Sequence, residues 1–207
     1  MAKEFLPYDT VRNNSIKLAH RILQDGFVPD VIYASLRGGA YMANVISEYF
    51  KIARPVDKGH PVLYAAVVSH SYTNIHAQGS VMVDGWTYNP EYLRTGDKIL
   101  LIDDIFDTGF TVNYLTDILI KRGIPRRDIK VAVHDYKHFT NLPEQLPIQP
   151  DYWCRKFVID QEEDSRWVHY LSHELVGLTS DELEEHYYSQ DPDLREAMEA
   201  IFAVRDR

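Results

Sequence analysis

The run Ile99-Leu100-Leu101-Ile102 stands between Lys98 and Asp103 without one polar residue, and it constrains the fold more than any other stretch. A strand with one face in water alternates apolar and polar residues, whereas an unbroken run of this length reads as a strand buried on both faces. Sheets of such strands are covered by helices on either side. The rest of the chain has the same alternation. Strands are expected over 30–36 ("DVIYASL"), 62–68, 98–102 and 129–134. A helix is expected over 9–24, with Val11, Leu18, Ala19, Ile22 and Leu23 on its apolar face and Gly26 and Pro29 closing it. Met42, Val45, Ile46, Tyr49 and Phe50 mark a second helix; Val112, Leu115, Ile118 and Leu119 mark a third, stopped by Gly123 and Pro125. Short buried strands alternating with helices predict an α/β fold, a mostly parallel open sheet flanked by helices.

The remaining segments are less regular. Residues 69–95 hold Gly79, Gly85 and Pro90 with little clear period and are expected to form a long loop, a class of loop that often carries function. Thr179 and Glu182 have the spacing of a capping box, and Leu194, Ala197, Met198 and Ile201 mark a last amphipathic helix after Pro192.

Length and charge narrow the function. At 207 residues the chain can build one sizeable core. Its net charge of −9 argues against a nucleic-acid surface, and any phosphate site must be assembled locally. No run approaches the length of a membrane span, and MAKEFLPYDT is too polar for a secretory signal, so no membrane association is expected. The single cysteine, Cys154, excludes an intramolecular disulfide framework and fits a cytoplasmic protein.

Behind the apolar run come Asp103, Asp104 and Asp107, then Thr108-Gly109-Phe110-Thr111 leading into a helix. Carboxylates this close repel one another and are costly to desolvate. The Thr/Gly turn offers hydroxyls and backbone N–H groups at a helix N-terminus, a natural phosphate cradle. The carboxylates can accept from ribose hydroxyls or share a Mg²⁺ held by phosphates. Asp and Thr are also common cap and turn residues, and a lone D-T-G reads as well that way. Three carboxylates behind a wholly apolar strand favour a ligand.

The full stretch, four apolar residues, two acidic, two apolar, then D-T-G-x-T, resembles the phosphoribosyl-pyrophosphate (PRPP) motif of type I phosphoribosyltransferases. "SLRGGAY" resembles the family's pyrophosphate loop, where a non-proline cis peptide commonly occurs, and "SYTN" resembles its mobile flap. The resemblance covers roughly residues 30–175. It implies a core over about 30–140, a small hood subdomain from N- and C-terminal segments at about 1–29 and 150–178, and a helical tail over about 179–207. It also implies PRPP contacts from Arg37, Gly38, Asp103, Asp104, Thr108, Gly109, Phe110 and Thr111, with Ser71 and Tyr72 on the flap.

Within the family, the residue two before Gly109 separates substrate classes. Asp107 there is similar to the enzymes for 6-oxopurines (hypoxanthine, guanine or xanthine) and unlike adenine and orotate enzymes; RNA-binding pyrimidine regulators of this fold usually have Tyr. The resemblance gives Asp107 the role of general base for N7, Lys137 that of donor to O6, and Trp167 and Val168 the base wall, with Trp153 as a competing tryptophan. Asp104 and Glu174 are the implied Mg²⁺ contacts, although "LSHE" departs from the family's usual sequence before that acid and no arginine follows it closely. The histidine pairs His134/His138 and His70/His76 lack a third ligand at sensible spacing. The implied reaction takes PRPP·Mg²⁺ and a 6-oxopurine base to a nucleoside monophosphate and pyrophosphate, in a homo-oligomer. A phosphoribosyltransferase for another base and a non-catalytic sensor of PRPP are the alternatives; retention of both Asp107 and Lys137 disfavours the sensor.

Overall fold

A computed structural model describes residues 3–54, 60–74, 77–141, 146–161 and 164–205, with side chains of 70–80 and 205 outside the description. Its centre is a six-stranded sheet. The strands are β2 (Val31–Leu36), β3 (Leu63–Asn74), β4 (Ala77–Trp86), β5 (Ile99–Phe106), β6 (Ile129–Phe139) and β7 (Tyr152–Ile159), in the spatial order β4-β3-β2-β5-β6-β7. All neighbours are parallel except β3 and β4.

Strand β5 explains why its apolar run is unbroken. Leu100 and Ile102 enter one core with Leu18, Ile22, Met42, Ile46 and Phe50, from helices α1 (Tyr8–Gln24) and α2 (Ala40–Ala53). Ile99 and Leu101 face the other way, against Val112, Leu115 and Leu119 of α3 (Phe110–Lys121). Successive side chains of a strand point to opposite faces, so both must be apolar when helices cover both. The expected α/β fold with a mostly parallel sheet is the one observed.

Several boundaries differ from expectation. β5 runs on to Phe106, so Asp103 and Asp104 belong to the strand rather than to the turn behind it. β6 extends past His134 to Phe139, placing Lys137 inside the strand. The expected loop over 69–95 is largely the antiparallel β3–β4 pair, with register shifts at Val68/Ser69 and Tyr72/Asn74. Its glycines and polar residues sit on an edge strand interrupted by irregularities, where burial does not impose a clean alternation.

A second, two-stranded parallel sheet joins β1 (Lys3–Leu6) to β8 (Trp167–Tyr170), pairing Glu4 with Val168 and Leu6 with Tyr170. Leu6, Val11, Val168 and Tyr170 form a small core beside it, with Ile105 and Phe157 packed on. The expected N-terminal hood segment therefore divides: β1 joins this small sheet, whereas α1 packs with α2 over the main one.

The chain separates into two compact units, 1–172 and 173–207. In the second, Thr179 and Glu182 make the reciprocal capping-box bonds at the start of α4 (Ser180–Leu183). The last helix, α5 (Leu194–Arg205), lays Met198 with Leu183 and Tyr188 in a core of its own.

Candidate active site

Chain order reverses between β2 and β5: from β2 the chain proceeds to β3 on one side, and from β5 to β6 and β7 on the other. In open α/β sheets ligands collect at such a switch point, beyond the carboxyl ends of the strands. Arg37-Gly38-Gly39 follows β2 there, and Asp107-Thr108-Gly109 follows β5. The Leu36–Arg37 peptide is cis. The first of these loops is packed against the end of β5. A Cβ on Gly38 would strike the Asp104 carboxyl group, and one on Gly39 would strike the Ile102 carbonyl oxygen. Glycine is therefore the residue that lets these backbones approach.

Gly109 is the N-cap of α3, with φ of 79° and with Phe106 directly beneath where a side chain would stand. Asn113 holds the turn from behind: its amide nitrogen donates to the Gly109 carbonyl at 2.9 Å, and its amide oxygen accepts from Ile148 N at 2.9 Å. The first-turn N–H groups of α3, at Phe110 and Thr111, have no carbonyl four residues back in the helix and point outward, where an anion is favoured. An open depression of about 230 Å³ is lined by Asp103, Asp104, Asp107, Thr108, Gly109 and Thr111. Phe110 is partly exposed at its edge, and Arg37 is exposed on the neighbouring loop.

Asp103 accepts from Asp104 N at 3.1 Å, and Asp104 from Ile105 N at 2.8 Å. Burial, then the charge of Asp104, push the Asp103 carboxyl well above the usual carboxylate range, against hydrogen bonds from the Ser35 hydroxyl and the Asp104 N–H. A cation or a set of hydroxyl donors would relieve that repulsion.

At the other end of the depression Lys137 Nζ donates to Asp107 Oδ2 at 3.1 Å. Lys137 packs closely among Phe157, Ile159, Arg166 and Val168, which leave no room for a water molecule between them. Phe157 lies opposite Lys137 in the β6–β7 register and Ile159 opposite Phe139. Phe157, Ile159 and Arg166 were not singled out from the sequence; the alternation in "YWCRKFVI" marks β7, but nothing in it says what that strand faces. Trp167 is 54% exposed on β8, whereas Trp153 packs at 5.5 Å from Tyr136, against the sheet core.

Two expected groups are not described at the site. Ser71 and Tyr72 lie on β3, paired with Val81 and Ser80, and their side chains are outside the described residues; His76 is outside them altogether. Glu174 belongs to the second unit, where its carbonyl accepts from the Tyr187 hydroxyl at 2.8 Å.

A glycine loop packed on a carboxylate-ended strand, with a helix N-terminus following at the same switch point, is an α/β arrangement able to hold a phosphorylated ligand. Residues 4–148 match the family model described as the phosphoribosyl transferase domain, and the chain belongs to that family. As a phosphoribosyltransferase it takes PRPP and a base as substrates. The chain is similar to the bifunctional protein PyrR of Halalkalibacterium halodurans, 29% identical over 172 residues, which are 79% of this chain and 88% of that one. It is also similar to the hypoxanthine-guanine phosphoribosyltransferase of Bos taurus, 27% identical over 154 residues, 73% of this chain and 67% of the relative. Among solved structures, a purine phosphoribosyltransferase from Pyrococcus horikoshii shares the fold with a TM-score of 0.61 at 20% identity, over 87% of this chain and 99% of that one.

Proposed function

We propose that this phosphoribosyltransferase transfers the 5-phosphoribosyl group of PRPP to N9 of a 6-oxopurine, giving a nucleoside 5′-monophosphate and pyrophosphate in purine salvage. The observation that carries this reading is the Lys137–Asp107 pair. A 6-oxopurine carrying its imidazole proton on N7 presents, side by side, an acceptor at O6 and a donor at N7. Lys137 donates and Asp107 accepts, so the pair is the complement of that edge. Adenine presents an amino group in place of O6, and an ammonium cannot accept from it.

The steps assigned to this chain follow. Arg37, the Gly38 backbone and the turn of Thr108, Gly109, Phe110 and Thr111 bind the phosphates of PRPP. Asp103 and Asp104 hold the ribose hydroxyls beside the positive charge that develops at C1′ as pyrophosphate leaves. Val168 and Trp167 form the wall against which the base lies, N9 bonds to C1′, and Asp107 takes up the N7 proton. Ser71 and Tyr72, on β3, are read as part of a flap over the pyrophosphate.

The donor set fits Mg²⁺. Among the described residues no three ligating side chains stand together, and Mg²⁺ is commonly bound through one or two carboxylates plus substrate phosphates and water. Asp104, with Asp103, would hold it, and Glu174 is the further acid read as a contact. When bound it neutralises the leaving pyrophosphate. No helix among the described residues is long and apolar enough to cross a membrane, in keeping with a cytoplasmic enzyme. We also read it as a homo-oligomer.

The test is pyrophosphate release from PRPP and Mg²⁺ with each of hypoxanthine, guanine, xanthine, adenine, orotate and uracil. One of the first three should be the best acceptor. Fastest turnover of adenine, orotate or uracil would overturn the reading, and binding of PRPP with no release for any base would favour a sensor.

A further inference from the structure

A buried polar cluster lies outside the site just described and uses none of its residues' side chains. Asp135, fully buried on β6, has both oxygens engaged. Oδ1 accepts from Arg155 Nε at 2.5 Å, directly across the β6–β7 register. Oδ2 lies 2.5 Å from the Tyr170 hydroxyl and 3.1 Å from His134 Nδ1. The same Tyr170 hydroxyl is 3.1 Å from the Asp104 carbonyl oxygen. Arg155 reaches on to Glu4 Oε1 at 2.5 Å, and Glu4 pairs with Val168 across the small sheet. His134 Nε2 meets the Asn14 amide at 3.2 Å, so an imidazole with its proton on Nδ1 satisfies both contacts.

The cluster ties four strands together at one place. The four side chains are Glu4 of β1, Tyr170 of β8, Asp135 of β6 and Arg155 of β7, and the Tyr170 hydroxyl also lies beside the Asp104 carbonyl of a fifth strand, β5. Without it, the small sheet rests on the small apolar cluster around Leu6, Val11, Val168 and Tyr170, and apolar packing alone is non-directional. The hydrogen bonds supply direction: the one hydroxyl proton of Tyr170 goes to Asp135, which fixes β8 against β6, and β6 is laddered to β5 on its other side. Burial raises the Asp135 carboxyl, but donors from His134, Arg155 and Tyr170 outweigh it and hold the group below the usual range, as a carboxylate. The Tyr170 hydroxyl therefore donates into a charged, dehydrated acceptor, the strong form of such a bond.

We propose that Tyr170 and Asp135 are positioning residues that set the distance between the base wall on β8, Trp167 and Val168, and the ribose-holding carboxylates on β5. This rests on the reading of those two walls given above. A nucleoside monophosphate spans both walls at once, whereas PRPP needs only the β5 side. Loss of the Tyr170 hydroxyl should thus weaken the spanning ligand selectively.

The experiment compares the wild type with Tyr170→Phe, which keeps the buried ring and removes only the hydroxyl. Affinity is measured by calorimetry for PRPP·Mg²⁺ and for the monophosphate of whichever base the wild type turns over fastest. Tyr170→Phe should bind the monophosphate about 10-fold more weakly, since a small misplacement of a binding wall costs this order. PRPP affinity should stay within about twofold. Glu4→Gln, at the half-exposed end of the chain of contacts, should shift the same ratio in the same direction by less, and covers the case of a poorly folding Tyr170→Phe. Equal loss for both ligands, or a lower melting temperature with neither affinity changed, would reduce the cluster to a stabilising one. Because the monophosphate is chosen by the wild type's own turnover, a wrong purine assignment would leave this test standing.

Discussion

Lys137 and Asp107 are joined at 3.1 Å across a steep gradient of exposure: the lysine side chain is 6% exposed and the aspartate 48%. The lysine side chain packs among Phe157, Ile159, Arg166 and Val168, and its counter-ion reaches solvent. A buried ammonium left unpaired is costly. A ligand can displace Asp107 from it only by offering an acceptor in return.

Lys137→Met should therefore cost selectivity more than folding. A methionine of similar length keeps contact with Phe157, Ile159 and Val168, and the partner left behind, Asp107, is 48% exposed, so water can solvate the charge that a buried partner would leave unpaired. Hydrogen bonds to charged groups are worth about 1.5–3 kcal/mol, or roughly 10- to 150-fold in relative kcat/KM for a 6-oxopurine over adenine. Steady-state kinetics with both bases checks this, and an unchanged ratio would leave Lys137 as structural.

Asp107→Asn keeps the size and one acceptor but cannot take a proton. We expect kcat to fall by about 10²- to 10⁴-fold, with PRPP affinity nearly unchanged because the backbone donors of the turn remain. Single-turnover rates beside calorimetric PRPP binding separate the two effects.

Asp103 gives a prediction with a defined sign. Its folded-state carboxyl titrates well above the usual range, so folding favours the protonated form, and stability is lost as pH rises from about 3.9, the ordinary carboxylate value, through the raised one. Asp103→Asn removes that loss. The ligand-free variant should melt higher than the wild type at pH 7, by a margin that shrinks toward pH 4, while binding PRPP·Mg²⁺ more weakly. Melting curves across that window check the first part; a gain that persists undiminished at pH 4 would contradict it.

Gly38→Ala should act through Asp104. The added methyl lands on that carboxyl group, and PRPP affinity should drop by roughly 10-fold or more, as expected for a displaced binding group. Gly85→Ala, where a Cβ meets nothing within 4 Å, is the comparison and should change affinity little. Equal behaviour of the two variants would show that the Gly38–Asp104 contact does not matter for PRPP binding.

The legible parts of this chain are those where one interaction dominates. Ile99–Ile102 is apolar because both sheet faces are covered, so the strand and the fold class could be read directly. The Thr179/Glu182 box could be read because its bonds are local. Strand ends could not. Asp103 and Asp104 break the apolar pattern yet remain in β5, since ladder pairing to β6 continues through Ile105 and Phe106. Lys137 is hidden in the same way, a charged residue inside a strand made tolerable by a partner 30 positions earlier. β4 was missed because an edge strand with irregular pairing has no strict alternation. The roles of Asp135 and Tyr170 exist only through contacts among distant segments, and no local signal carries them.

The pairing of Lys137 with a purine O6 is tested by the ratio of kcat/KM for hypoxanthine to that for adenine, measured with PRPP and Mg²⁺. The two bases differ at the C6 substituent and the N1 hydrogen beside it, and C6 is where Lys137 is read to act. We expect a ratio well above unity, roughly 10-fold or more, that collapses toward unity in Lys137→Met. A wild-type ratio at or below unity would contradict it.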